Sequence, residues 1–394
     1  MNNIRKTNNQ DQPLKDPLRR FSLFSTKPPL SKLYIEPTTQ CNLQCRTCIR
    51  NSWDEPIGSM DMTVYRKLLS DLKDFKTLNT IAFWGYGEPL AHPEIVNMVA
   101  EAHEIGLKTE VITNGHLLDK DMAKGFIQAG LDTLVVSVDG TTQVSYEDVR
   151  IGGDLSRVEE NIGALNELLA KMSGKKLNVG LEFVIMRSNI NQLPDLAHKA
   201  HSMKADFIML TNLLPCTEDM KDEILYWISA TVNDVEERSK WSNELMLPRM
   251  DLRAEYLTPL LEFLKRLDRP MPAIRNIPQE YCCPFVQRGS AAIIWSGDVS
   301  PCIALMHSYR CYILGREKFI KRYSVGNIAH EKIGDIWNKK TYQSFRDRVL
   351  TFDFSPCVQC SGCSYSETNV EDCFGNVHPV CGDCLWARSV LLCP

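Results

Sequence analysis

The sequence predicts an α/β protein: a parallel sheet built from six strand–helix units, a bridging helical stretch, and a small cysteine-rich domain. Three observations carry that expectation. Between residues 31 and 215, short apolar runs alternate with stretches of helical apolar spacing, a pattern that implies right-handed βαβ units. From about 216 to 280 the alternation stops. From 281 to 394, long periodic elements are scarce while Cys and Gly are abundant. Such a segment has too little apolar surface for its own core and relies on bound metal. The alternation alone fits both an open, incomplete eight-unit barrel and a doubly wound sheet.

The elements follow in order. Residues 1–30 are polar, with Pro13, Pro17, Pro28 and Pro29, and read as a mobile arm. Buried strands are expected at Leu33–Glu36, Thr80–Trp84, Lys108–Thr113, Thr133–Val138, Asn178–Ile185 and Asp206–Leu214. Helices are expected near 62–75, 93–105, 119–129, 155–171 and 192–203. In the bridge, Glu218–Val232 and Tyr256–Leu267 read as helices, followed by a linker marked by Pro270, Pro272 and Pro278.

The chain has 394 residues, 44% hydrophobic and 24% charged, ordinary values for a globular protein. A net charge of −4 and a pI near 6.1 give no reason to expect nucleic acid as partner. There is no apolar run long enough for a transmembrane helix and no export signal, so a cytoplasmic protein without a membrane partner is expected. Fifteen cysteines are unusual. In a reducing compartment that many thiols point to metal rather than disulfides. Eleven of them fall between Cys282 and Cys393, a clustering that burial alone does not impose.

The segment YIEPTTQCNLQCRTCIRN places Cys41, Cys45 and Cys48 on the loop leaving the first strand. Three thiolates at C-x3-C-x2-C can hold three corners of a cubane iron–sulfur cluster, leaving one iron open to a chelating small molecule. The competing structural zinc site normally uses C-x2-C pairs and closes with four ligands. Further along, GYGEP (Gly85–Pro89), TNG (Thr113–Gly115) and SVDG (Ser137–Gly140) follow the second, third and fourth strands. In a parallel array these loops share the face where active sites form.

Together these segments resemble the radical S-adenosylmethionine (SAM) superfamily over roughly residues 31–215. The resemblance implies a partial (βα)6 barrel in which Cys41, Cys45 and Cys48 bind a [4Fe–4S] cluster whose free iron takes SAM. It implies that Gly85, Gly87 and Glu88 form the segment meeting the methionine ammonium. Glycines suit this role because their backbone can approach a ligand closely. Ser137 and Arg150, within SVDG and YEDVRIGG, match SAM-contacting residues, and Asn114 is a further candidate for ribose or carboxylate. One departure is Thr47, where the family usually has an aromatic residue before the third cysteine. The implied chemistry is reductive cleavage of SAM to a 5′-deoxyadenosyl radical that takes hydrogen from a substrate, with a reductant such as ferredoxin or flavodoxin.

The later cysteines, C-x13-G-x4-C from Cys283 to Cys302 and then Cys357, Cys360, Cys363, Cys373, Cys381, Cys384 and Cys393, resemble the SPASM-type extension. That extension carries one or two auxiliary [4Fe–4S] clusters. The usual C-x2-C-x5-C-x3-C is replaced here by C-x2-C-x2-C-x9-C with three further cysteines, so ligand grouping stays open and Cys311 reads as a spare. One or two structural zincs are the alternative.

The tail NVEDCFGNVHPVCGDCLWARSVLLCP resembles radical SAM maturases of tungsten-cofactor oxidoreductases. This implies modification of a tungsten-pterin oxidoreductase client or its cofactor. The alternatives are a peptide- or protein-modifying enzyme of the thioether-forming or sulfatase-maturing kind, and a non-catalytic zinc or iron–sulfur module. The first 30 residues are too short for a leader-peptide-binding domain, which counts against leader-guided modification. Cys216 is expected at the mouth of the site, more often a small buried hydrophobe than a hydrogen donor. His92 is expected to brace a loop, and His307 and His378 are spare metal-ligand candidates.

Overall fold

The computed structural model describes residues 28–73, 75–172, 174–231, 247–267, 283–360 and 363–392. The expected arm up to residue 27, the proline linker, Cys282 and Cys393 lie outside the described residues.

Six strands run in chain order and parallel: β1 (Lys32–Ile35), β2 (Thr80–Phe83), β3 (Lys108–Thr113), β4 (Thr133–Ser137), β5 (Asn178–Ile185) and β6 (Phe207–Asn212). A doubly wound sheet would reverse its strand order at a switch point. This sheet does not, so the open barrel is the architecture. The helices between them are α1 (Met62–Leu72), α2 (Ile95–Glu104), α3 (Lys120–Ala129), α4 (Gln143–Val149), α5 (Leu155–Lys171) and α6 (Leu193–Ser202). Most begin at side-chain caps: Asp61 accepts from Thr63 N–H, Asp119 from Met122 N–H and Asp154 from Ser156 N–H, satisfying N–H groups that have no partner within the helix. Every residue of β2 is buried, as expected of a strand covered on both faces.

The sheet continues past the barrel. Strand β7 (Ser290–Ile293) pairs parallel with β1, and β8 (Asp298–Ser300) and β11 (Gly326–Asn327) extend it antiparallel. Between them β9 (Tyr309–Ile313) and β10 (Arg316–Ile320) form a separate hairpin. The C-terminal segment therefore shares the barrel's core: Phe285, Ile293, Val299, Ile336 and Phe345 lie in the same apolar cluster as Leu33, Phe83 and Val136.

One expected helix is corrected. Of the expected Glu218–Val232, among the described residues only Glu218–Glu223 is helical, as a 3-10 turn. Ile224 is extended, and Ile224, Leu225 and Tyr226 are all fully buried. Three successive buried side chains cannot share one helix face, and Arg187 N–H instead bonds Glu223 O at 2.9 Å. The second bridging helix, α7 (Ala254–Arg266), forms as expected.

Candidate functional site

The loop after β1 carries Cys41, Cys45 and Cys48, all part-exposed. Its shape is set by Leu43 N–H pointing at Cys41 Sγ (3.4 Å) and Cys48 N–H bonding Cys45 O (3.1 Å). Gln44–Cys45 pairs antiparallel with Arg150–Ile151, which sets Arg150 opposite Cys45. Helix α4 delivers that arginine: it starts at a capping box on Thr142 and ends at Arg150. Gly140 lets α4 approach, since a Cβ there would lie 2.3 Å from Tyr146 N.

Arg150 Nη1 is 4.0 Å from Cys45 Sγ and Nη2 is 2.8 Å from Asp139 Oδ2, with Arg150 nearly buried and Asp139 fully buried. Asn114 Nδ2 bonds Asn42 Oδ1 at 2.8 Å and lies 3.9 Å from Cys41 Sγ. Burial pushes the Cys45 thiol up to about 12 against the pull of Arg150, and burial also raises Cys48.

The GYGEP loop lies against this cysteine loop. Glu88 N–H bonds Gln40 O at 2.7 Å. A Cβ on Gly87 would lie 2.1 Å from Thr38 O, and one on Gly85 would lie 2.4 Å from Glu36 Cγ. Both positions therefore require glycine. The buried Glu88 carboxylate accepts from Thr113 Oγ1 (2.6 Å), Asn114 N–H (2.7 Å) and Leu90 N–H (3.0 Å), tying GYGEP to TNG. Ser137 Oγ donates to Glu182 Oε2 at 2.8 Å.

Sequence reasoning did not single out Glu36, Asp139, Tyr146 or Glu182. A signal existed for Glu182, an acid inside a buried strand run. His92 braces a loop, with Nε2 3.0 Å from Met60 O and Nδ1 accepting from Glu94 N–H. Cys216 is buried in an apolar cluster with Ile49 and Cys311, the small buried hydrophobe that was the favoured expectation.

The later cysteines separate into two places. Cys283, Cys302, Cys381 and Cys384 line one cavity walled by Val286, Leu305, Phe345 and Val380. Burial raises Cys302 and Cys381 well above the ordinary thiol value. Cys311 also lines this cavity. Cys357, Cys360 and Cys363 lie on the loop after the helix Lys340–Thr351 (α8), with Cys360 and Cys373 exposed. Between the two places, buried Asp383 takes Lys318 Nζ at 2.7 and 2.8 Å and Arg316 Nη2 at 2.9 Å. Arg316 Nη1 also reaches Cys360 O at 2.9 Å. His378 bonds two backbone carbonyls, and His307 bonds two carboxylates.

Among the described residues, no three His, Cys, Asp or Glu side chains converge on one ion position. Beside Cys45, Arg150 Nε and Tyr146 Oη are buried without a hydrogen-bond partner, which fits a polar ligand placed there.

An open parallel barrel with three thiols, a glycine cradle and a buried arginine at its C-terminal rim defines a cluster-dependent enzyme. Residues 35–184 match the Radical SAM superfamily and residues 282–364 match SPASM, an iron-sulfur cluster-binding domain. The chain belongs to the radical SAM superfamily and carries a SPASM-type C-terminal domain. Its cofactors are a [4Fe–4S] cluster with SAM and auxiliary iron–sulfur clusters.

A "Tungsten-containing aldehyde ferredoxin oxidoreductase cofactor-modifying protein" from Pyrococcus furiosus is 32% identical over 370 residues, covering 92% of this chain and 96% of the relative. A "PqqA peptide cyclase" from Gluconobacter oxydans is 25% identical over 363 residues, covering 90% of each chain. The solved structure of native anSMEcpe with bound AdoMet is similar in fold, with a TM-score of 0.58 at 15% identity, covering 91% of this chain and 96% of that one.

Proposed function

We propose that this radical SAM enzyme matures a tungsten-pterin oxidoreductase or its cofactor. The observation that carries the reading is the 32% identity to the Pyrococcus furiosus cofactor-modifying protein across 92% of the chain. Modification of a peptide or protein is the second reading, favoured by the 25% identity to a PqqA peptide cyclase. The stronger likeness over the same length puts the cofactor reading first.

In this reading Cys41, Cys45 and Cys48 hold the first cluster. Bound there, the cluster and SAM supply a 5′-deoxyadenosyl radical that takes hydrogen from the substrate. Gly85, Gly87, Glu88, Asn114, Ser137 and Arg150 hold SAM. Arg150 offers a guanidinium suited to a carboxylate, while Asp139 keeps it in place. The cavity of Cys283, Cys302, Cys381 and Cys384 takes one auxiliary cluster. Cys357, Cys360 and Cys363 take a second, completed by Cys373 or Cys393. A ferredoxin or flavodoxin delivers the electron.

The test is to make the tungsten oxidoreductase in cells with and without this protein. Activity only in its presence supports the reading, and full activity without it rejects the maturase role.

A further inference from the structure

Three residues far apart in the chain meet in a buried network. His307, 1% exposed, has Nε2 at 2.8 Å from Glu36 Oε2 and Nδ1 at 2.5 Å from Glu55 Oε2. Their separations along the chain are 271 and 252 residues. A neutral imidazole has one N–H, so the doubly protonated ring is the form that donates to two ionised carboxylates. Trp53 packs edge-on at 4.3 Å and Tyr86 at 5.8 Å. Arg322 is the further charged group acting on Glu55.

The outer atoms of the network reach two loops. Glu36 Oε1 accepts Tyr86 N–H at 2.9 Å, and Tyr86 Oη donates to Ile303 O at 3.2 Å. Glu55 Oε1 accepts Ser308 N–H at 2.7 Å. The stretch 303–308, which follows Cys302, is thus fastened at three points to GYGEP, to the end of β1 and to the segment beyond Cys48. Buried ionic networks are weak sources of stability, but when fully satisfied they hold a unique geometry.

We propose that His307 is a positioning residue for the radical reaction: it clamps the Cys302 loop to Glu36 and Glu55, and so fixes Tyr86 and the GYGEP segment relative to the cavity that Cys302 lines. The inference rests on reading Gly85–Glu88 as the SAM-holding segment and is independent of the client.

The test compares wild type, His307→Gln and Tyr86→Phe after anaerobic reconstitution. Three quantities are read: iron content, KM and kcat for 5′-deoxyadenosine formation, and the electron paramagnetic resonance spectrum of the reduced first cluster with SAM. For His307→Gln the expected result is unchanged iron, an altered spectrum and a KM for SAM raised about tenfold, with kcat changed less. Tyr86→Phe is expected to move KM the same way by a smaller factor. A wild-type KM and spectrum in His307→Gln overturns the inference. If that variant does not fold, Tyr86→Phe decides, and wild-type behaviour there overturns it. A wild type that binds no SAM would instead overturn the reading of GYGEP, so the two failures are distinct.

Discussion

Arg150 stands directly across a short antiparallel pairing from Cys45, its guanidinium 4.0 Å from the sulfur and 2.8 Å from the buried Asp139 carboxylate. Asp139 therefore orients the arginine toward the cysteine loop. Arg150→Ala removes that group and strands Asp139, an uncompensated buried charge costing about 3–5 kcal/mol. The expected outcome is a lower denaturant midpoint together with loss of SAM binding. Arg150→Ala combined with Asp139→Asn should recover much of the stability but not the binding. Chemical denaturation and equilibrium dialysis with SAM check both parts.

None of the three thiols of the first loop lines the cavity of Cys283, Cys302, Cys381 and Cys384, so removing the first set should leave the second loaded. In the Cys41→Ala/Cys45→Ala/Cys48→Ala variant, about eight irons should remain if two auxiliary cubanes are present. Iron and sulfide assays on both proteins check this. Zinc in place of iron would contradict it.

Cluster loading must remove protons from thiols that burial holds above their ordinary value, Cys45 near 12 and Cys48 also raised. A raised thiol value means proton and metal compete more strongly as pH falls. Reconstitution of the apoprotein is therefore expected to load more completely at pH 8.5 than at pH 6.5, about two decades in proton activity. Absorbance of the reconstituted protein across that range measures it.

His307 gives a pH dependence of opposite sense. Burial alone would lower its value, but the hydrogen bonds and charges of Glu36 and Glu55 outweigh burial and raise it from 6.5 to about 9. A folded value above the unfolded one contributes stability that is full below 6.5 and lost as pH rises through about 9. The wild-type melting temperature should therefore fall from pH 7 to pH 9.5, and His307→Gln should show a flatter profile. Calorimetry over that range checks it.

Much of this fold was legible in the sequence because its signals are local. All six barrel strands and the five expected helices, such as Leu155–Lys171, follow from apolar period and capping residues within a few positions. The pairing of β7 with β1 is not local: Lys32 lies beside Ser290, and nothing in either short run announces the other. The same holds for the site. The glycines and cysteines of contiguous motifs were readable. The grouping of Cys381 and Cys384 with Cys283 and Cys302, and of His307 with Glu36 and Glu55, depends on chain reversals that no motif encodes. The helix expected across Ile224–Tyr226 failed because apolar spacing cannot reveal burial on every side.

The charge between the auxiliary places offers a further check. Lys318 and Asp383 are 2% and 4% exposed and bonded through both carboxylate oxygens. Lys318→Met leaves Asp383 with Arg316 alone, and a loss of about 3 kcal/mol is expected for breaking a buried pair. Lys318→Met with Asp383→Leu should cost less than the single change. Denaturant midpoints of the two variants measure the difference.

In the proposed reading, Cys41, Cys45 and Cys48 assemble the centre that cleaves SAM. The direct measurement is 5′-deoxyadenosine formed from SAM by the anaerobically reconstituted, chemically reduced protein. The wild type should release 5′-deoxyadenosine and methionine together, and the triple alanine variant, with its auxiliary iron retained, should release neither. A fully loaded, reduced wild type that leaves SAM intact, or a triple variant that cleaves it as fast, would contradict the assignment of these three cysteines.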